Sequence, residues 1–256
     1  MENNKLNDAK ISGSGTLGGG SYANIRISGS GTINGNARCL SFHASGSGHV
    51  HGSLTCEKDL RISGSGHIDG AVSAAAVHIS GSGHLGGSLT AEILHTSGAA
   101  RIDGKVSAGE IASSGSAAFG GDVEAEAFTA SGSCKIPGLL NAETVELHPG
   151  KMTIGSIGGS TIRVTGPTAG GSEGISLKLF GMTILSVNSH GGHAGAPSLT
   201  ADTIEGDDIT LEFTTARVVR GRTVIVGQGC CIDRVEYSQS LDIREDGQVK
   251  ESAKTN

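Results

Sequence analysis

The sequence has no tryptophan, two tyrosines, five phenylalanines and four prolines among 256 residues. So little proline, together with glycine that does not fall at every third position, excludes a collagen-like chain. No run approaches 18 consecutive apolar residues, so no membrane-spanning helix is expected. The opening MENNKLNDAK lacks the apolar core of an export signal, which points to the cytoplasm. No basic cluster exceeds two residues and the net charge is −6. Nucleic acid needs a concentrated positive footprint, so it is not an expected partner. Five cysteines (Cys39, Cys56, Cys134, Cys230 and Cys231) are an odd set, and in a chain read as cytoplasmic they are expected as reduced thiols.

Glycine is abundant, with 43 residues, and Ile, Val and Leu recur at fixed places within the Gly/Ser-rich text, unlike a disordered linker. Ser-Gly pairs begin at Ser12, Ser28, Ser45, Ser63, Ser80, Ser97, Ser114 and Ser131. Seven successive spacings of 16, 17, 18, 17, 17, 17 and 17 residues define eight units, numbered 1 to 8 below, with the first Ser as position zero. Position +5 is always apolar, from Leu17 to Ile136, and position +7 is always Gly. Position +9 is apolar in all units but the first, where it is Ser21, and position +11 is Ala or Cys throughout. A final large apolar position carries Ile25, Phe42, Leu60, Val77, Leu94, Ile111, Phe128 and Val145.

Apolar and polar residues alternate for a few positions, then the phase slips at glycine. Alternation is the signature of a strand and the slips are corners. At about 3.3 Å per residue, such a unit traces a perimeter of about 50 Å, suited to three short sides. The expected fold is all-β: a single-stranded parallel β-helix (β-solenoid) of about 17 residues per coil and roughly a dozen coils. The division expected is a flexible tail over 1–9, regular coils over 10–168, an irregular insertion over 169–198, C-terminal coils over 199–243 and a charged, disordered tail over 244–256.

Several features suggest chemistry and are weighed against plain structural readings. The SGSG turns lack the GxxxxGK[ST]-and-helix context of a phosphate loop, so no nucleotide is expected. His49, His67 and His84 share position +4 in consecutive units, and His43, His78 and His95 follow the large apolar position. Stacked imidazoles can share Zn²⁺ or Cu²⁺, but the columns show no carboxylate or thiol in register, so they read as solvated polar tracks. If exposed, their mutual repulsion should lower thermal stability below about pH 6. His190 and His193 flank Gly-Gly in the long loop, without a defined third ligand. Cys39 and Cys56 occupy the small +11 track and read as packing. Glu205, Asp207 and Asp208 surround Gly206 and read as a turn rather than paired catalytic carboxylates. Accordingly no catalytic residue, cofactor or metal is assigned, and the chain is not expected to be an enzyme.

The repeat (KISGSGTLGG, RISGSGTING, RISGSGHIDG, HISGSGHLGG) and the run IEGDDITLEFTTARVVRGRTVIVGQGCCIDRVEY together resemble the bactofilins, bacterial polymer-forming cytoskeletal proteins, over roughly residues 10 to 243. The ending is similar to that of bactofilin-like proteins of Gram-positive spore-formers. The resemblance implies a right-handed helix, nucleotide-independent assembly into filaments through terminal coils, and scaffolding of cell-envelope, shape or motility machinery. It implies as partners a second copy of the chain, a sister bactofilin, and an envelope or motility protein. Many bactofilins carry a short apolar membrane-targeting peptide, which MENNKLNDAK is not, so attachment at the inner face of the membrane is left open. The self-assembly residues expected are Phe213, Val224, Val226, Ile232 and Val235, near the C-terminal end. The alternative is a β-helix carbohydrate-active enzyme or binding module using residues 166–198.

Overall fold

The computed structural model describes residues 6–166, 175–179, 182–187, 198–244 and 246–255. Among them every regular element is a strand, and the strands wind into a parallel β-solenoid of about 13 turns. Each coil pairs with the next one unit later. Val72 lies opposite Leu89 and Val77 opposite Leu94, and those partners in turn meet Val106 and Ile111. Equivalent positions therefore stack on one another, and this is why the repeat is readable at all.

The repeat columns form the interior. Positions +5 and +9 and the large apolar position are buried from unit 2 to unit 8, with Val50, Leu54 and Leu60 fully so. Burying these columns against their neighbours supplies the apolar stabilisation that an isolated coil lacks.

Two glycine columns have steric causes. At the Ser-Gly corners a Cβ on Gly46, Gly64 or Gly81 would stand 2.0–2.2 Å from the carbonyl oxygen of the corner glycine one coil below. Glycine is required there by close approach of backbones. At position +3, a Cβ on Gly66 or Gly83 would come within 2.7–2.9 Å of Ile62 or Ile79, the isoleucine just before the Ser-Gly corner. From unit 6 onward that isoleucine becomes Thr96, Ser113 and Ala130, while the glycine becomes Ala100, Ala117 and Cys134. Volume moves from one column to its neighbour and the interior stays filled. The two hydroxyls this introduces are both buried, and Thr96 Oγ1 donates to Ser113 Oγ at 2.8 Å.

The regular ladder crosses the middle of the chain without a gap. The strand Val123–Val164 pairs directly with Ser198–Leu211, with Lys151 opposite Ser198 and Val164 opposite Leu211. That offset of 47 residues equals one 17-residue coil plus 30 residues set outside the ladder. Within the excursion, Ile175–Leu179 and Met182–Val187 pair antiparallel as a separate two-stranded sheet.

The C-terminal segment differs from expectation. In place of a disordered tail over 244–256, the strand Gln248–Lys254 lies parallel on Cys231–Ile243, with Val249 opposite Ile232 and Lys254 opposite Tyr237. Its composition is polar because only one side has an interior to face: Val249 and Ala253 are half-buried, while Gln248, Lys250, Glu251 and Ser252 are exposed.

Candidate functional site

Two regions concentrate features that the packing of the coils does not require: the outer strands of the solenoid, and a polar groove along units 1 to 5.

At the C-terminal end the expected assembly residues are not at the surface. Val224, Val226, Ile232 and Val235 are fully buried. Val224 is covered by Leu241 and Val226 by Ile243, while Ile232 lies under Val249 and Val235 under Ser252. Phe213 sits at an internal corner with φ 48°, a left-handed conformation uncommon for a side chain of this size. Its backbone bonds both neighbouring coils, accepting from Leu199 N and donating to Gln228 O. A Cβ on Gly166 would fall 2.0 Å from the Phe213 ring, and one on Gly229 would fall 2.8 Å from it, so both glycines make room for the aromatic side chain.

The outermost layer lies one coil further on. Ser240–Ile243 pair inward with Thr223–Val226 and, among the described residues, have no strand on their other side. The same holds for the outer edge of Gln248–Lys254. Ile243 is 48% exposed, and the partly buried Leu241 and Val249 pack against the core from this layer. At the opposite end, Ala9–Ile11 pairs only with Asn24–Ile27 and Ser14–Ser21 only with Ser30–Cys39, again among the described residues. Leu17 is half-buried there and Leu6 is 41% exposed. Sequence reasoning missed Val249 because the last strand reads as polar tail, and passed over Leu241 and Ile243 although both lie within the coils expected to reach residue 243.

The groove, about 600 Å³, runs over the +3 glycines and is flanked by Ser47, Ser65, Ser82, His49, His67 and His84. Its histidines are in register, His49 opposite His67 and His67 opposite His84, with ring centroids 4.6 and 4.5 Å apart. Contrary to the sequence expectation, a carboxylate is in reach. Asp69 stands at position +6 of unit 4, two residues beyond His67 on the same outward face. Its Oδ1 accepts from His49 Nε2 at 2.7 Å and its Oδ2 from His51 Nδ1 at 2.9 Å. Oδ1 also lies 2.9 Å from His67 Nε2. The hydrogen bonds from His49 and then His51 hold the Asp69 carboxyl down at about 2. Asp103, at +6 of unit 6, takes His84 Nε2 at 2.8 Å, which lowers its value too. The +4 column read alone hid this pattern, because the acid answering a histidine lies in the next coil and two positions along.

The second histidine column is interrupted by Arg61, with the order His43, Arg61, His78, His95. Asp59 accepts from Ser41, His43 and Arg61 at 2.6–3.0 Å. His78 and His95 have centroids 5.5 Å apart, and burial first, then His95, pushes His78 below the usual imidazole value.

The remaining candidates fall into place as structure. Cys39 and Cys56 are in register and buried, with Sγ atoms 3.6 Å apart. The hydrogen bond to Cys39 and burial push the Cys56 thiol up, and burial alone takes Cys134 up to about 12. Such thiols are poor nucleophiles. Asp207 lies where pairing breaks between Gly206 and Asp208, as a corner residue does. Asp208, read from sequence as part of the turn, is a paired strand residue opposite Thr161 and is engaged by Arg222 Nη2 at 2.7 Å. His190 and His193, and most of the 166–198 segment named for the alternative reading, lie outside the described residues. No helix among the described residues is long and apolar enough to cross a membrane.

Comparison with known proteins agrees with the repeat. The chain is 48% identical over 56 residues to the uncharacterized protein YhbF of Bacillus subtilis (strain 168), covering 22% of this chain and 24% of YhbF. It is 47% identical over 58 residues to the uncharacterized protein YhbE of the same organism, covering 23% of this chain and 24% of YhbE. The matched stretch thus spans about a quarter of the length of these relatives. No solved structure matches. Residues 7–90, which hold units 1 to 4 and the His49–Asp69 cluster, match the family described as Bactofilin, polymer-forming cytoskeletal. Over residues 7–90 this chain is similar to the bactofilin family.

Proposed function

We propose that the protein is a structural cytoskeletal scaffold that assembles with copies of itself, without nucleotide, through the outer strands of its solenoid. The observation carrying this reading is the pair of edges without a partner strand among the described residues: Ala9–Ile11 with Ser14–Ser21 at one end, and Ser240–Ile243 with Gln248–Lys254 at the other. An open edge offers a row of backbone donors and acceptors, and a second chain satisfies them by adding a strand. A parallel coil is the natural occupant, because it continues the ladder already present and covers Leu241, Ile243 and Val249. The polymer-forming family match over residues 7–90 supports a second copy as that occupant. The filament then serves as a platform for envelope, shape or motility machinery in the cytoplasm or at the inner face of the membrane. A sister bactofilin is incorporated wherever its edge matches. The role is structural, not catalytic.

Electron microscopy of the purified protein without nucleotide tests the reading, with filaments or sheets as the expected result. Ile243→Lys combined with Leu241→Lys should dissolve them into folded monomers, since both residues lie in the outermost layer, on the strand segment Ser240–Ile243 that a second copy would cover. Val226→Lys is not an equivalent test, because Val226 is fully buried and a charge there breaks the fold itself. A monodisperse wild-type monomer at high concentration overturns the proposal. Filaments that survive the double substitution move the contact away from this end.

A further inference from the structure

We propose that His49, His67 and Asp69 form a divalent transition-metal site of the zinc class that clips unit 3 to unit 4. One ring nitrogen from each of His49 and His67 and one Asp69 oxygen all lie within 4.8 Å of one another. Two imidazole nitrogens converge on a single carboxylate oxygen, at 2.7 Å and 2.9 Å. A metal takes the place of the protons shared in those contacts, each ring keeping its proton on Nδ1. Two neutral imidazoles and one carboxylate are a donor set suited to zinc, with a fourth position for water.

The backbone prepares the site before any metal arrives. His49 and His67 are opposite one another in the ladder, so their spacing is that of adjacent strands, about 4.8 Å. Asp69 N donates to Val50 O at 3.0 Å and Gly70 N to Gly52 O at 3.0 Å, which fixes the carboxylate against the coil that carries His49. His51 is a positioning residue: its Nδ1 donates to Asp69 Oδ2 and leaves Oδ1 turned toward the two Nε2 atoms. Hydrogen bonding of this kind behind a ligand is what tunes metal sites. The side chains remain 38–43% exposed, so the fourth position faces the groove. His84 is taken by Asp103 one coil away and stays outside the set. This site is independent of the edges invoked for assembly.

Calorimetric titration of the full, reduced chain with ZnCl₂ tests the proposal. One equivalent of Zn²⁺ is expected to bind and raise the melting temperature. His67→Ala and Asp69→Asn should each weaken binding by about tenfold or more, and His51→Ala by about tenfold. His95→Ala, in the other histidine column, should leave binding unchanged. Because His67→Ala removes a side chain from a stacked column, circular dichroism must show both site variants folded, and the near-isosteric Asp69→Asn carries the test if the alanine variant is not. Co²⁺ substitution should give tetrahedral visible bands without the thiolate charge-transfer absorption that Cys39, Cys56 or Cys231 would add. Absence of Zn²⁺ binding, or binding that persists undiminished in Asp69→Asn, overturns the assignment.

Discussion

At the scale of single residues, what matters is which partner each histidine finds. Among the +4 imidazoles, Asp69 and Asp103 supply carboxylate partners. In the second column His78 has no carboxylate bonded to it among the described residues. It is half-buried and faces Arg61 on one side and His95 on the other; Asp59 opposes its shift only weakly and is already bonded to Ser41, His43 and Arg61. Beyond it, Glu110 reaches only to 3.6 Å from His95. A histidine whose folded-state value is depressed favours folding in its neutral form. Its stabilisation is complete above the ordinary imidazole value of about 6.5 and is lost as pH falls through the lower, folded-state value. Melting temperature should therefore fall between about pH 7.5 and pH 5.5, and His78→Gln should flatten that part of the profile. Equal pH dependence in the His78→Gln protein would place the effect elsewhere.

At the scale of the strand and its neighbours, the two coupled columns before and after each Ser-Gly corner make a sharper demand. Ile79 sits with Gly83, whereas Thr96 sits with Ala100. Thr96→Ile alone would set a branched side chain against the Ala100 Cβ, much as a Cβ at Gly83 would stand 2.9 Å from Ile79. It would also leave the buried Ser113 hydroxyl without its partner. Overpacking of this kind costs about 1–3 kcal/mol, and the lost hydroxyl contact about 1 kcal/mol more. Adding Ala100→Gly should recover most of the packing part, which denaturant unfolding of the single and double variants would measure as a coupling of at least about 1 kcal/mol. Additive losses would mean that the two columns do not share space.

The same pairing explains what was legible in the sequence. The columns at +5, +7, +9 and +11 repeat because each coil meets the same neighbours, so identity of position means identity of surroundings. The Asp69 cluster was hidden because its carboxylate holds position +6, two places beyond the +4 column of the histidines it joins, one of them in the preceding coil. The strand Gln248–Lys254 was hidden because an outermost half-coil keeps only Val249 and Ala253 as inward residues, too few to show alternation. Ile232 and Val235 were expected at the surface for the same reason, since the unforeseen strand Gln248–Lys254 covers them, whereas Val226 lies under Ile243 of a coil the expectation already included.

For the whole molecule, the decisive observation is that the ladder ignores 30 residues. Lys151 meets Ser198 as directly as Val106 meets Val123 in the regular part. If the coils on either side carry the stability, the excursion is an attachment to the solenoid and not one of its structural members. Removing residues 168–197 would place Ser198 at the position of 168, restoring an offset of 17 from Lys151, the spacing found in most of the units. Parallel coils pair only with their immediate neighbours, so the loss of a side excursion is not transmitted along the stack, and shortening a long connection also lowers its closure entropy. The shortened protein should therefore remain folded, with a circular-dichroism spectrum dominated by strand and a melting temperature no lower than that of the full chain. It should also polymerise, because both unpaired edges are retained. A shortened chain that folds but no longer forms filaments would make the excursion part of the contact between copies. One that does not fold would show that the coil beginning at Ser198 depends on residues outside the ladder, and the solenoid would then have to be treated as two stacks joined through the excursion.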